Sequence, residues 1–262
     1  MKFRDQMGNT IVLPEYPKRI ISLVPSLTEL LFDLGLDREI IGITDYCVLP
    51  KDKVKNRVKI GGPKHFDFPV IDALKPDLLI GNMEENYRAG ILRLQEKYPV
   101  WMSDITTLTD MLEAINGIGA ITGCEEKAKW INREISDRMN RLPRFKPLKA
   151  AYLIWKDPLM AAGGSTFING MMEMCGFVNI FSAHNRYPVI EKGDLASAEI
   201  ILLSSEPYPF SASDRERFLQ EFPQIDVEIV DAMMFSWYGS HILYSADYFA
   251  KLRKIIDKKR GI

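Results

Sequence analysis

The chain has 262 residues, 47% of them hydrophobic, and a formal charge of -1 from 34 basic and 35 acidic side chains. That is enough apolar material for two cores, and with no basic field a nucleic-acid partner is not expected. Cys47, Cys124 and Cys175 share no metal-ligand spacing, and one disulfide is arithmetically available with its partners unassigned.

Residues 1–18 read as an arm or short hairpin turning at Gly8-Asn9. They lack the apolar core of a signal peptide, and no run reaches the length of a membrane span. Taken literally, the chain is soluble and cytoplasmic, or its export signal has been removed. Arg19–Val24 (RIISLV) is a buried strand, and Pro25 then opens a helix with Ser26 as expected N-cap and Glu29 three residues on. Leu27, Leu30, Leu31 and Leu34 face inward and Gly35 ends the helix. A strand over Ile40–Thr44 leads into Asp45-Tyr46-Cys47, a basic loop follows over Lys51–Lys59, and Arg57–Ile60 is a short strand. Gly61-Gly62-Pro63-Lys64-His65 is too compact for a phosphate loop, and neither GxxxxGK[ST] nor GxGxxG occurs.

LKPDLLIG (Leu74–Gly81) ends in a buried strand followed by the polar loop Asn82–Tyr87, a helix closing on Leu94–Glu96, and the strand Pro99–Met102. The second half repeats this order: a strand over Lys149–Trp155, then Leu195–Ser204, a helix closing on Leu219–Glu221, and a strand over Val227–Val230. Continuous apolar strands alternating with helices predict parallel sheets covered on both faces. Between the halves, Ala128, Ile131, Ile135, Met139 and Leu142 recur at steps of three and four, the stripe of one long helix. Thr122 and Glu125 have capping-box spacing, and Pro143 and Pro147 stop the helix. The expected fold is therefore α/β: two Rossmann-like lobes with parallel sheets joined by a connecting helix. The boundaries are 1–124, 125–142 and 143–262.

In such sheets, ligands bind at loops beyond the carboxyl ends of the strands. Those loops carry Asn82, Glu84 and Glu85, together with Tyr46, Tyr87, Trp155, Tyr187, Tyr208, Phe235, Trp237 and Tyr238. So many rings with few titratable pairs suggest a wall for a large flat ligand in a cleft between the lobes. His65, His184 and His241 are the three histidines and leave a free-metal site open as an alternative. An enzyme using Glu84, Glu85 or His65 as acid or base is the rival from another class. No nucleophile elbow or cysteine nucleophile context supports covalent catalysis, and no catalytic residue or resident metal is expected.

Four blocks in order, RIISLVPSLTELLFDLGL, LKPDLLIGNMEEN, MMEMCGFVNIF and DAMMFSWYGSH, resemble the cobalamin-binding members of the helical-backbone periplasmic binding proteins. These are ABC-importer receptors for metal chelates, and the resemblance runs nearly the whole chain from Arg19. It implies a monomeric, extracytoplasmic solute-binding protein, with cobalamin or a related corrinoid as transported ligand. A ferric siderophore or haem is the alternative. It implies an ABC permease as partner and no cofactor of the protein's own. Pro25 matches a cleft-lining proline, Trp237 sits in the C-terminal aromatic loop facing ligand, and Glu191 falls at the acidic docking position of the second lobe. The expected ligand-binding set is Pro25, Tyr46, Asn82, Glu84, Trp155, Tyr187, Phe235 and Trp237, with Glu191 for transporter docking.

Overall fold

The computed structural model describes residues 1–261, which form two compact units. The first comprises residues 1–105, 109–136 and 238–241; the second comprises 106–108, 137–237 and 242 onward.

In the first unit the hairpin β1 (Lys2–Arg4) and β2 (Thr10–Val12) is antiparallel, as Gly8-Asn9 foretold. The buried Asp5 carboxylate ties this arm down, accepting from the backbone amides of Asn9 and Met102. The core is a five-stranded parallel sheet in the order β5-β4-β3-β8-β9. Its elements in chain order are β3 (Ile20–Ser22), α1 (Pro25–Asp33), β4 (Ile40–Ile43), α2 (Lys51–Val54) and β5 (Val58–Lys59). A small hairpin of β6 (Gly61–Gly62) and β7 (His65–Phe66) follows, then α3 (Phe68–Leu74), β8 (Leu78–Asn82), α4 (Arg88–Gln95) and β9 (Val100–Ser103). Every residue of β3, β8 and β9 is buried, as strands of a doubly covered parallel sheet must be.

Two helices follow, α5 (Leu108–Thr122) and α6 (Glu125–Asn140). The predicted stripe holds: Ala128, Ile131, Ile135 and Met139 are buried. The helix stops two residues short of the expected Leu142, and residues through Ser136 belong to the first unit while Asp137 onward belong to the second. The expected capping box is absent, because Thr122 still lies in α5 and its hydroxyl donates back to the Ile118 carbonyl at 2.7 Å. Similarly, the N-cap of α1 is Val24 in extended conformation, with Pro25 at the first helical position where no amide is needed. The Ser26 side chain is buried inside the helix instead.

The second unit holds β10 (Leu148–Lys156), β11 (Leu159–Ala161), α7 (Phe167–Met174), β12 (Phe177–Asn179), β13 (Ile200–Ser204), α8 (Ala212–Glu221) and β14 (Asp226–Val230). It ends with α9 (Met233–Ser236) and α10 (Ser245–Arg260). Strands β10, β13 and β14 run parallel, and β12 pairs parallel with the start of β10. One strand departs from the parallel pattern: β11 turns straight back on the end of β10 as an antiparallel strand. So short a connection cannot make a crossover. The two sheets share an order, with β3, β8 and β9 matched by β10, β13 and β14.

The observed units depart from the boundaries 1–124, 125–142 and 143–262 within α6, at 106–108 and near the end of the second lobe. Tyr238–His241 returns to the first unit. Two side-chain contacts explain this: Tyr238 reaches Glu85 and His241 reaches Glu29. All three cysteines are free thiols, and burial pushes the Cys47 and Cys175 thiols above their ordinary range.

Candidate functional site

On the first unit, the loop after β8 is built by two asparagines. The Asn82 side-chain carbonyl accepts from the amides of Glu84 at 2.9 Å and Glu85 at 3.2 Å, while its amide group donates to the Ser103 hydroxyl at 3.0 Å. Asn86 accepts from the Asn82 amide and donates to the Leu23 carbonyl. Asn82 is fully buried, so it shapes the loop and offers no surface to a ligand, unlike the contact role expected for it. Glu84 is half-buried, and its backbone carbonyl accepts from Lys64 Nζ at 2.8 Å. Pro25 is half-buried beyond β3, while Tyr46, beyond β4, is 67% exposed. A Cβ at Gly62 would come within 3.0 Å of the Tyr46 ring, so the bare backbone there lets the ring lie close.

The segment Tyr238–His241 adds two contacts to the same unit. The Tyr238 hydroxyl donates to Glu85 Oε1 at 2.7 Å. His241 Nδ1 lies 2.9 and 3.1 Å from the two Glu29 oxygens, with both residues buried.

On the second unit, Trp155 at the end of β10 is 39% exposed, and its indole N–H donates to the Asp157 carbonyl. Its ring meets Tyr208 edge-on at 5.8 Å, and Tyr208 meets Phe210 at 4.8 Å. The Lys156 ammonium lies over the Tyr208 ring and pairs with Asp214, whose carboxylate also closes a capping box with Ser211. Burial alone would raise the Asp214 carboxyl, but Lys156 and the Ser211 amide and hydroxyl outweigh it and hold it at about 2. The group is depressed below its unfolded value, so its contribution is complete above about pH 4 and is lost as pH falls toward 2. The second unit should therefore lose about 2 kcal/mol of stability across that window. Asp214→Asn should flatten that part of the profile, as urea titrations at stepped pH would show.

Tyr187 is half-buried in the loop after β12, and Glu191 is exposed. Glu191 caps the 3-10 turn Lys192–Ser197, with its amide donating to Asp194 at 2.8 Å. Phe235 does not face solvent: it is fully buried among Tyr152, Tyr248 and Phe249, at ring distances of 5.3, 6.3 and 4.8 Å. A ring on a helix of one turn reads as a loop residue in sequence, but here it is core. Trp237 is 9% exposed, and its indole N–H donates to Glu206 Oε1 at 2.7 Å. The partners of Trp237 and Tyr238 escaped sequence reasoning, although Glu85 and Glu206 lie just past the ends of matched strands. His65 and His184 are exposed and His241 is buried. Among the described residues, no group of three His, Cys, Asp or Glu side chains is placed to hold a metal ion. Also among them, no helix is long and apolar enough to cross a membrane.

A profile of the periplasmic binding protein family matches residues 20–223. The vitamin B12-binding protein of Pectobacterium atrosepticum is 23% identical over 247 residues, covering 88% of this chain and 86% of that protein. An uncharacterized ABC transporter substrate-binding lipoprotein of Bacillus subtilis is 24% identical over 183 residues, 65% of this chain and 57% of the relative. The chain thus matches little more than half the length of the second relative. Among solved structures, the periplasmic vitamin B12-binding protein BtuF of Vibrio cholerae aligns with a TM-score of 0.80 at 18% identity, over 92% of this chain and 98% of its own. The periplasmic heme-binding protein HutB of Vibrio cholerae aligns with a TM-score of 0.76 at 19% identity, over 89% and 98%. At these identities the solved structures speak for the fold.

Proposed function

Because the chain belongs to the periplasmic binding protein family, we infer that it serves an ABC importer outside the cytoplasm, capturing a metal chelate and passing it to a permease. Cobalamin or a related corrinoid is the ligand we put first. The B12-binding relative that aligns along most of the chain supports that choice. A haem or ferric siderophore is the second reading, favoured by the fold shared with a heme-binding protein. The protein binds and releases its ligand as a monomer, without a resident cofactor and without catalysis.

The observation that carries this reading is the aromatic ledge of the second unit. Trp155 is a large ring left 39% exposed at the carboxyl end of a central strand, braced edge-on by Tyr208. A macrocycle laid on such a ring gains about 1 kcal/mol beyond the area it buries. The proposed contacts of the first unit are Pro25, Tyr46 and Glu84, which keep surface beyond β3, β4 and β8; those of the second unit are Trp155, the half-buried Tyr187 and Trp237, which is 9% exposed. Glu191 is proposed as a permease contact, since its carboxylate is exposed.

The test is titration with cyanocobalamin, haemin and a ferric hydroxamate siderophore, followed by tryptophan fluorescence. Trp155→Ala should weaken the chelate that binds by about tenfold, including lost burial, while leaving the melting temperature nearly unchanged. Full affinity in that variant would remove Trp155 from the site, and failure of all three chelates to bind would sink the reading.

A further inference from the structure

The chain is nearly neutral, with 34 basic and 35 acidic side chains, but its charges are unevenly spread. In the first unit, the segments between each strand of the parallel sheet and the next α-helix hold Asp45, Asp67, Glu84, Glu85 and Asp104. Lys64 is their one basic residue. In the second unit, the segments after β10, β12, β13 and β14 hold Asp157, Glu206 and Asp231 against Arg186, with Glu191 left to the permease. Each unit by itself therefore has an acidic set of loops at the carboxyl ends of its strands. We propose that the chelate this protein captures carries no net negative charge, so that its substrate class is a neutral or cationic complex. This deepens the function proposed above and rests on it.

A carboxylate beside a bound ligand repels an anion and attracts a cation. At half-buried positions such as Glu84, Glu85 and Asp231, water and salt screen that interaction less than at the open surface. The nearby lysines do not reverse the sign. Lys64 donates to the Glu84 backbone carbonyl at 2.8 Å, inside the acidic loop, and Lys156 at the end of β10 is matched by Asp214. The exposed rings act in the same sense, since the face of an aromatic ring is negative and draws cations. Trp155 is 39% exposed and Tyr46 is 67% exposed. A trianionic ferric tris-catecholate, or haemin with its propionates, would set like charge against like on either unit. A corrinoid whose side chains are amides, or a hydroxamate siderophore, would not.

The experiment is calorimetric titration with chelates matched in shape and differing in charge. Among corrinoids, aquacobalamin is cationic, cyanocobalamin is neutral, and cyanocobalamin with one side-chain amide hydrolysed is anionic. Among siderophores, ferrioxamine B is cationic and a ferric tris-catecholate is anionic. Affinity should fall in that order within each set, by about threefold or more per unit charge at low ionic strength. The spread should shrink in high salt. Asp45 and Asp157 are exposed, so Asp45→Asn/Asp157→Asn should narrow the spread by about threefold with the melting temperature near that of the wild type. A second reading needs no chelate. In Trp130→Phe protein, Trp155 is the exposed indole, because Trp101 and Trp237 are buried. Caesium should then quench its fluorescence more than iodide does, and Asp157→Asn should bring the two together.

The inference is overturned if an anionic chelate binds tightest in either set, if the order ignores salt, or if the double variant leaves the spread unchanged. Iodide quenching Trp155 at least as well as caesium would also overturn it. Binding led by an anion defeats this inference alone and leaves the chelate receptor standing. Failure of every chelate to bind defeats the receptor, and this inference with it.

Discussion

Arg253→Met is expected to destabilise the second unit by about 3–5 kcal/mol, because it removes a fully buried cation whose partners remain behind. The guanidinium on α10 donates to the carbonyls of Cys175 at 3.0 Å, Gly176 at 2.8 Å and Lys146 at 2.6 Å, and to Asp257 at 3.0 Å. Phe145 and Phe177 flank it at 5.0 and 5.1 Å. Gly176, at φ +74°, turns the chain so closely past the guanidinium that a Cβ there would lie 2.6 Å from Nη1. Methionine restores the stem but leaves the carbonyls and the Asp257 carboxylate without that donor. Lysine should rescue little, since a single ammonium cannot serve carbonyls from two segments in the plane of a fork. Urea unfolding followed by circular dichroism measures the loss, and a change under 1 kcal/mol would show that the cage is not what holds α10 to the sheet.

His241→Leu should cost the first unit about 3 kcal/mol, by leaving the buried Glu29 carboxylate without the ring nitrogen it now faces at 2.9 Å. The accompanying sign is loss of hydrogen-exchange protection across 238–241, the stretch this contact helps to hold. The double variant Glu29→Leu/His241→Leu should recover a large part of the loss, because an apolar pair leaves no carboxylate stranded. Additive losses in that cycle would mean the two side chains do not act together.

Periodicity carried the fold. The stripe Ala128, Ile131, Ile135, Met139 is buried residue for residue, and the runs read as strands became the parallel cores of both sheets. Local capping signals did less well, since a hydroxyl such as that of Thr122 can bond back within its own helix as readily as it can cap the next. The candidate site was legible as a set of loops and only in part as a set of surfaces. Trp155 and Tyr46 are exposed, whereas Asn82 and Phe235 are drawn inward, one by hydrogen bonds to its own loop and one by three neighbouring rings. The contacts of Glu29 with His241 and of Glu85 with Tyr238 span 212 and 153 positions of sequence, and no local pattern announces them.

That first span bears on how the chain is made. The strands of the first sheet are complete by Ser103, yet a residue of α1 waits for a histidine 212 positions later. A nascent chain halted anywhere before His241 would carry a finished sheet with an unmet acid in its helix layer. The closing of so long a loop is entropically costly and slow. The strands of the first unit are thus synthesised well before the residue that seals its helix layer, His241.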